Sequence, residues 1–185
     1  ERECVKISEE MAKKAGFREI SGFESLKAGD KVYIINRKKN ILLAVIGEKD
    51  ITEGVNLVGA HIDSPRLDLK QNPLYESNEM ALLKTHYYGG IKKYQWPAMP
   101  LAMHGVIYTS DGEEIEIKIG EKDTDPVFCV SDLLPHLAAD QMSKKMSEGI
   151  EGEALNILVG GMGVKSEDVS EKVKYKILSI LNTMY

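Results

Sequence analysis

Leu57-Val58-Gly59-Ala60-His61-Ile62-Asp63-Ser64-Pro65 decides how the rest of the chain is read. An apolar run ends in small residues, delivers a His and an Asp two positions apart, and stops at Ser-Pro. On extended backbone, positions i and i+2 project to the same side. The carboxylate of Asp63 can then hold one ring nitrogen of His61 and leave the other free for a metal, the partner that metal-binding histidines commonly have. Residues 54–60 read as the third apolar strand of an α/β arrangement, with His61 at its end, where such folds gather functional groups.

Working back from this stretch, Lys31-Val-Tyr-Ile-Ile and Ile41-Leu-Leu-Ala-Val-Ile are two β-rich runs. Asn36-Arg-Lys-Lys-Asn40 between them is a hairpin signal. Both runs are nearly continuous in apolar residues, which predicts strands covered on both faces. Residues 2–15 read as an amphipathic helix with Cys4, Val5, Ile7, Met11, Ala12 and Ala15 on its apolar stripe. Gly16 is placed to end it.

Beyond Pro65 the texture changes. Arg66-Leu-Asp-Leu-Lys70 alternates with period two, a polar connection follows to Asn78, and Met80 to Tyr88 is another strand ended by Gly89-Gly90. Leu101 to Tyr108 and Glu114-Ile-Glu-Ile-Lys-Ile119 flank the turn signal Ser110-Asp111-Gly112, and the alternating isoleucines predict one buried and one wet face. Val127 to Val130 is a further short strand. Ser131 or Asp132 is expected to cap a helix with Pro135 in its first turn and Leu134, Leu137, Ala138, Gln141 and Met142 inward. Asn156-Ile-Leu-Val159 reads as a strand. A last helix is expected from about Glu167 to Met184, with Val169, Val173, Ile177, Ile180, Leu181 and Met184 on one side. The fold class is therefore α/β over residues 1–66, followed by a β-rich α+β module over residues 67–185.

Bulk properties exclude several classes. The 185 residues carry 43% hydrophobic and 29% charged side chains and a net charge of −5, ordinary for a soluble globular chain and unlike a nucleic-acid binder. Arg37-Lys38-Lys39 reads as a solvated hairpin tip. No apolar run reaches the roughly 18 residues of a membrane span, and the charged start Glu1-Arg2-Glu3-Cys4 is not a signal peptide. Cys4 and Cys129 have no CxxC spacing. Both lie in apolar patterns, are expected to be buried free thiols, and suit a cytoplasmic location. Gly160-Gly161-Met162-Gly163 lacks the Gly-Lys-Ser/Thr of a phosphate loop. The start without Met and the final helix without a stop signal lead us to expect a piece of a longer natural sequence.

Of the four histidines, only His61 has a carboxylate at meaningful spacing. His86 and His104 fall in strands and His136 in a first helical turn, where the helix dipole disfavours an imidazolium; structural roles are the default for all three. One His and one Asp do not complete a zinc site, which takes three or four protein ligands.

Gly59-Ala60-His61-Ile62-Asp63-Ser64-Pro65 resembles the Gly-Ala-His-x-Asp-Ser-Pro segment of the aspartyl aminopeptidase family of dinuclear zinc metallopeptidases. Tyr88-Gly89-Gly90-Ile91 and Leu134-Pro135-His136-Leu137-Ala138 continue the likeness in the family's order and approximate spacing. The wording from Lys84 to Trp96 is similar to bacterial members. The resemblance implies that His61 is a ligand to one of two zinc ions and that Asp63, counted with the catalytic residues, holds its ring. It implies release of N-terminal residues, classically acidic ones, from small peptides, with two zincs clamping hydroxide and carbonyl and a Glu as base. It implies an inserted β-rich dimerisation domain and assembly into homo-oligomers, with no nucleic-acid or membrane partner.

The bridging Asp, the Glu pair and the remaining ligands of that family lie beyond Tyr185. The resemblance therefore implies at most a partial zinc site here and an isolated chain without peptidase activity. The family's inserted domain can also lend a His to a neighbouring subunit's site; the corresponding position is Asp140, with His136 and His86 as the nearby imidazoles. A related two-zinc aminopeptidase of different specificity, with zinc, cobalt or manganese, and a non-catalytic assembly module are the alternatives.

Overall fold

Asn36-Arg37-Lys38-Lys39-Asn40 closes the first hairpin without a glycine. Lys39 N–H bonds the Asn36 carbonyl at 3.0 Å, and Arg37 and Lys38 both take positive φ, 53° and 57°. Left-handed backbone costs a residue with a side chain about 1–2 kcal/mol; here the ladder on either side holds the turn. That ladder joins β2 (Lys31–Asn36) to β3 (Asn40–Val45) in antiparallel register, Tyr33 opposite Leu43. A two-residue strand β1 (Arg18–Glu19) adds in parallel on the far side of β2. The computed structural model describes residues 1–185 and divides them between Ser64 and Pro65 into two compact units. Sheet and helix together make an α/β fold.

In the first unit, helix α1 (Arg2–Lys14) packs on the hairpin and buries Val5 and Ala12, with Tyr33 of β2 reaching its Glu9. Gly16 ends the helix at φ 86°, with Phe17 N–H on the Ala12 carbonyl at 2.9 Å and Gly16 N–H on the Lys13 carbonyl at 3.1 Å. Those two bonds satisfy carbonyls that the helix end would otherwise leave open. The Tyr33 hydroxyl donates to Glu9 at 2.9 Å, and Lys13 lies 2.7 Å from the same carboxylate. The bonds from Lys13 and then Tyr33 hold the Glu9 carboxyl below its ordinary range. Burial, and then the bond to Glu9, push the Tyr33 phenol up.

Three expectations fail in this unit. Cys4, Ile7 and Met11 are exposed, because the face of α1 that meets the hairpin is the narrow one of Val5 and Ala12. The strands are not covered on both faces along their length: Val32 and Tyr33, on opposite faces of β2, are both buried, but Ile34, Leu42, Leu43 and Val45 are exposed. Residues 54–60 form no strand. An extended segment needs a neighbour for its backbone groups, and none of β1 to β3 pairs with it. Asp50 caps a single 3-10 turn, Ile51–Glu53, accepting from Thr52 N–H at 2.9 Å.

The second unit is built on a four-stranded antiparallel sheet in the order β4-β5-β9-β8: β4 (Arg66–Ser77), β5 (Met80–Tyr88), β8 (Cys129–Val130) and β9 (Ile157–Gly160). Residues 71–77, expected as a connection, belong to β4. The register shifts between Leu69 and Leu74 around Asn72 at φ 50°, so Pro73 sits at an irregularity of an edge strand, where a missing donor is tolerated. β6 (Met103–Tyr108) and β7 (Glu114–Ile119) form a separate ribbon, with the isoleucines inward as the alternation predicts. The core gathers Leu83, Ile119, Phe128, Val130, Leu155 and Ile157. Thr85, also buried, donates its hydroxyl to the Leu155 carbonyl.

The helical parts are shorter than their sequence patterns. The segment after Asp132 is a 3-10 turn, Pro135–Leu137, then α2 (Ala139–Ser143). Its expected inner residues Leu134, Leu137 and Met142 are exposed and only Ala138 is buried. Asp132 does not cap a helix; it accepts from Leu133 N–H and from Gln141 at 3.0 Å, bracing the loop. Helix α3 (Lys172–Met184) starts five residues later than expected and buries Val173, while Ile180, Leu181 and Met184 face outward. No residue of its own caps it: the carboxylate of Glu76, on β4, accepts from Val173 and Lys174 N–H, both at 2.9 Å. Cys129 is half-buried and free. No helix is long and apolar enough to cross a membrane.

Candidate functional site

His61 and Asp63 lie in the irregular segment that ends the first unit. His61 Nδ1 stands 3.2 Å from Asp63 Oδ1 and 3.1 Å from the Asp63 carbonyl oxygen. Both neighbours are acceptors, so Nδ1 carries the proton and donates it. In the neutral ring this leaves the lone pair on Nε2. The His61 side chain is 85% exposed, the Asp63 side chain 44%. The spacing of two thus delivers the side-chain contact, although no strand carries it. The pair offers one metal-binding nitrogen with its tautomer set by a carboxylate, the arrangement seen around metal-binding histidines.

The pair by itself does not make a zinc site. Zinc takes three or four protein ligands, and the chain contains no group of three or more His, Cys, Asp or Glu side chains placed to share an ion. The donor set fits one ligand position and not a complete centre.

The other three histidines belong to the second unit. His86 is exposed on β5 with its ring stacked on Tyr87, centroids 5.6 Å apart. His104 on β6 bonds Glu121 through Nε2 at 2.8 Å. His136 is exposed in the 3-10 turn and Asp140 in the first turn of α2. A cleft of about 470 Å³ in the second unit has no clear signal in the sequence; Val130, Leu133, Leu137, Ile150, Asp132 and Asp140 are among the residues that line it. Apart from Pro97, its walls come from residues 130–154, where short turns and loops fold back on one another, and no periodicity encodes that meeting.

The sequence matches, over residues 1–185, the family described as Aminopeptidase I zinc metalloprotease (M18). It is 53% identical over 189 residues to the probable M18 family aminopeptidase 1 of Clostridium acetobutylicum, an alignment covering all of this chain and 41% of that protein. The crystal structure of an M18-family aminopeptidase from Thermotoga maritima superposes with a TM-score of 0.91 at 47% identity, covering the whole chain and 40% of that structure. Aminopeptidase I of C. acetobutylicum superposes with a TM-score of 0.86 at 47% identity, over 99% of this chain and 41% of that one. The chain therefore spans about two fifths of the length of the relatives it matches.

Proposed function

The chain belongs to the M18 family of aminopeptidase I zinc metalloproteases, and from that premise we propose that it works as part of a longer aminopeptidase in which His61 is a zinc ligand. The observation that carries this reading is the His61–Asp63 contact, which leaves Nε2 exposed and unprotonated in the neutral ring. Asp63 acts on the metal through His61: it fixes the tautomer and raises the basicity of Nε2. The reaction is removal of N-terminal residues, acidic ones among them, from small peptides, at a centre of two zinc ions whose other ligands lie in the part of the polypeptide outside these 185 residues. Alone, the chain is inactive.

The second unit is the dimerisation domain in this reading. Leu133, Leu134 and Leu137 are 53%, 64% and 69% exposed on one short segment, a concentration of apolar surface that favours association with a second copy. Free Cys4 and Cys129 support a cytoplasmic location.

A direct test expresses two proteins: the 185-residue chain, and a chimera in which it replaces the matched segment of the C. acetobutylicum relative. The chimera is expected to release N-terminal residues from a peptide panel, and the 185-residue chain to match a chelated blank. Turnover by the isolated chain defeats the proposal, as does a folded, zinc-loaded chimera that cleaves nothing.

A further inference from the structure

His61 and Asp63 belong to no helix or strand, yet a ligand pair serves a metal only when its atoms are held within about 0.5 Å of their working positions. The chain just beyond them supplies such a hold. Arg66 opens β4 and stands in register opposite Tyr88, the last residue of β5, so the two side chains share a face of the sheet. The guanidinium carbon of Arg66 lies 3.9 Å from the centroid of the Tyr88 ring, a cation–π contact. Its Nε donates to Asp68 Oδ1 at 2.7 Å. The ring fixes where the guanidinium lies, and the carboxylate fixes which way it points.

Gly89 adds a second hold beside the first. It leaves β5 at φ 86°, backbone that residues with a side chain rarely adopt. The turn lays it against Pro65: a Cβ built on Gly89 would stand 3.7 Å from Pro65 Cα and 3.9 Å from Pro65 Cβ and Cγ. Pro65 and Arg66 are thus held by two consecutive residues, Gly89 and Tyr88, at the end of the neighbouring strand.

Between this hold and Asp63 the backbone has little freedom. The pyrrolidine ring locks φ of Pro65, and a residue before proline is confined to extended backbone, which restricts Ser64. Whatever fixes Pro65 is passed along this short stiff arm to the Asp63 carboxylate and, through its hydrogen bond, to the His61 ring.

We infer that Arg66, Tyr88 and Gly89 form a clamp on Pro65 that positions the His61–Asp63 pair. They are positioning residues, acting through the chain and not as ligands. The inference rests on the reading of His61 as a zinc ligand. All three belong to the second unit, which thereby takes part in building the metal site.

The first measurement needs no metal. Backbone amide NMR relaxation in the metal-free 185-residue chain is expected to give order parameters of about 0.8 at Ile62, Asp63 and Ser64, falling below about 0.6 in Tyr88→Leu with β4 and β5 unchanged. Tyr88 is 40% exposed, so its loss is expected to leave the sheet folded; Arg66→Met removes the same contact from the other side and is expected to give the same loss. Tyr88→Phe keeps the ring face and is expected to keep the wild-type values. In the chimera described above, Tyr88→Leu is expected to weaken zinc binding about tenfold and to lower kcat at least about tenfold, with KM within about twofold and Tyr88→Phe like the wild type. Order parameters at residues 62–64 that are already below about 0.6 in the wild type, or that neither variant changes, overturn the inference. So does a Tyr88→Leu chimera that holds zinc like the wild type where His61→Ala has lost it. Zinc affinity unchanged by His61→Ala instead defeats the zinc-ligand reading and with it the role given to the clamp, whatever the relaxation shows.

Discussion

Glu76→Ala gives the sharpest stability test, because one carboxylate replaces a local cap 97 residues away. Helix α3 has no side-chain cap and no acidic residue in its first turn. The Glu76 carboxylate accepts from Val173 and Lys174 N–H at 2.9 Å each, at the end of the helix whose Val173 is buried and whose Ile177 packs over Gly160. Losing a cap costs about 1 kcal/mol. Charge-assisted bonds are roughly twice as strong as neutral ones, and an anion at a helix N-terminus adds about 0.3–1 kcal/mol. Together these set the loss at about 2–3 kcal/mol, or near 10 °C in melting temperature for the second unit. Glu76→Gln keeps an oxygen acceptor and loses the charge, so about 1 kcal/mol is expected. Urea and thermal denaturation followed by circular dichroism measure both, and hydrogen exchange should show the first turn of α3 opening first. A Glu76→Ala protein within about 0.5 kcal/mol of the wild type would refute the reasoning, since ordinary surface changes fall in that band.

Thr85→Val keeps the shape of a buried side chain and strips the Leu155 carbonyl of its donor; a loss of about 1–3 kcal/mol is expected in urea titration, and a neutral result counts against that bond. Gly152→Ala places a methyl 2.6 Å from Cε1 of the Tyr87 ring, an overlap that should destabilise by about 1–3 kcal/mol and is checked by the same titration. Acid should destabilise the fold through several carboxylates at once. Hydrogen bonds from Lys13 at Glu9, Thr52 at Asp50, Thr109 at Asp111 and Lys70 at Glu153, and from the Lys122 and Gly120 backbone at Asp125, hold all five below their ordinary values. Groups with lowered folded-state values contribute fully above their unfolded values, 3.8 for Asp and 4.5 for Glu, and lose that contribution as pH falls through the folded ones. Melting temperature should therefore drop on acidification below about pH 4.5; a profile flat from pH 5 to 2 would contradict this.

The legible parts of the fold were those specified by neighbours in the chain. Gly16 ends α1 because a left-handed residue is needed there, and the isoleucines of β7 alternate because one face meets the core. His61 and Asp63 touch because two residues separate them, not because a strand holds them. The illegible parts depend on remote partners. Leu57 and Val58 spell a strand, yet spelling cannot supply the flanking strands. Leu134, Leu137 and Met142 have helical spacing, but only Ala138 finds the core. Residues 71–77 read as a connection because Asn72 and Pro73 are turn formers, and the edge position of β4 that tolerates them is visible only in three dimensions. The Glu76 cap joins positions too distant for any motif.

The central claim, that His61 is a zinc ligand oriented by Asp63, is tested most directly by zinc affinity of the chimera, wild type against His61→Ala and Asp63→Asn. His61→Ala is expected to weaken binding by at least about tenfold, and Asp63→Asn by about 10–100-fold with the fold intact. A His61→Ala protein that holds zinc as tightly as the wild type would contradict it.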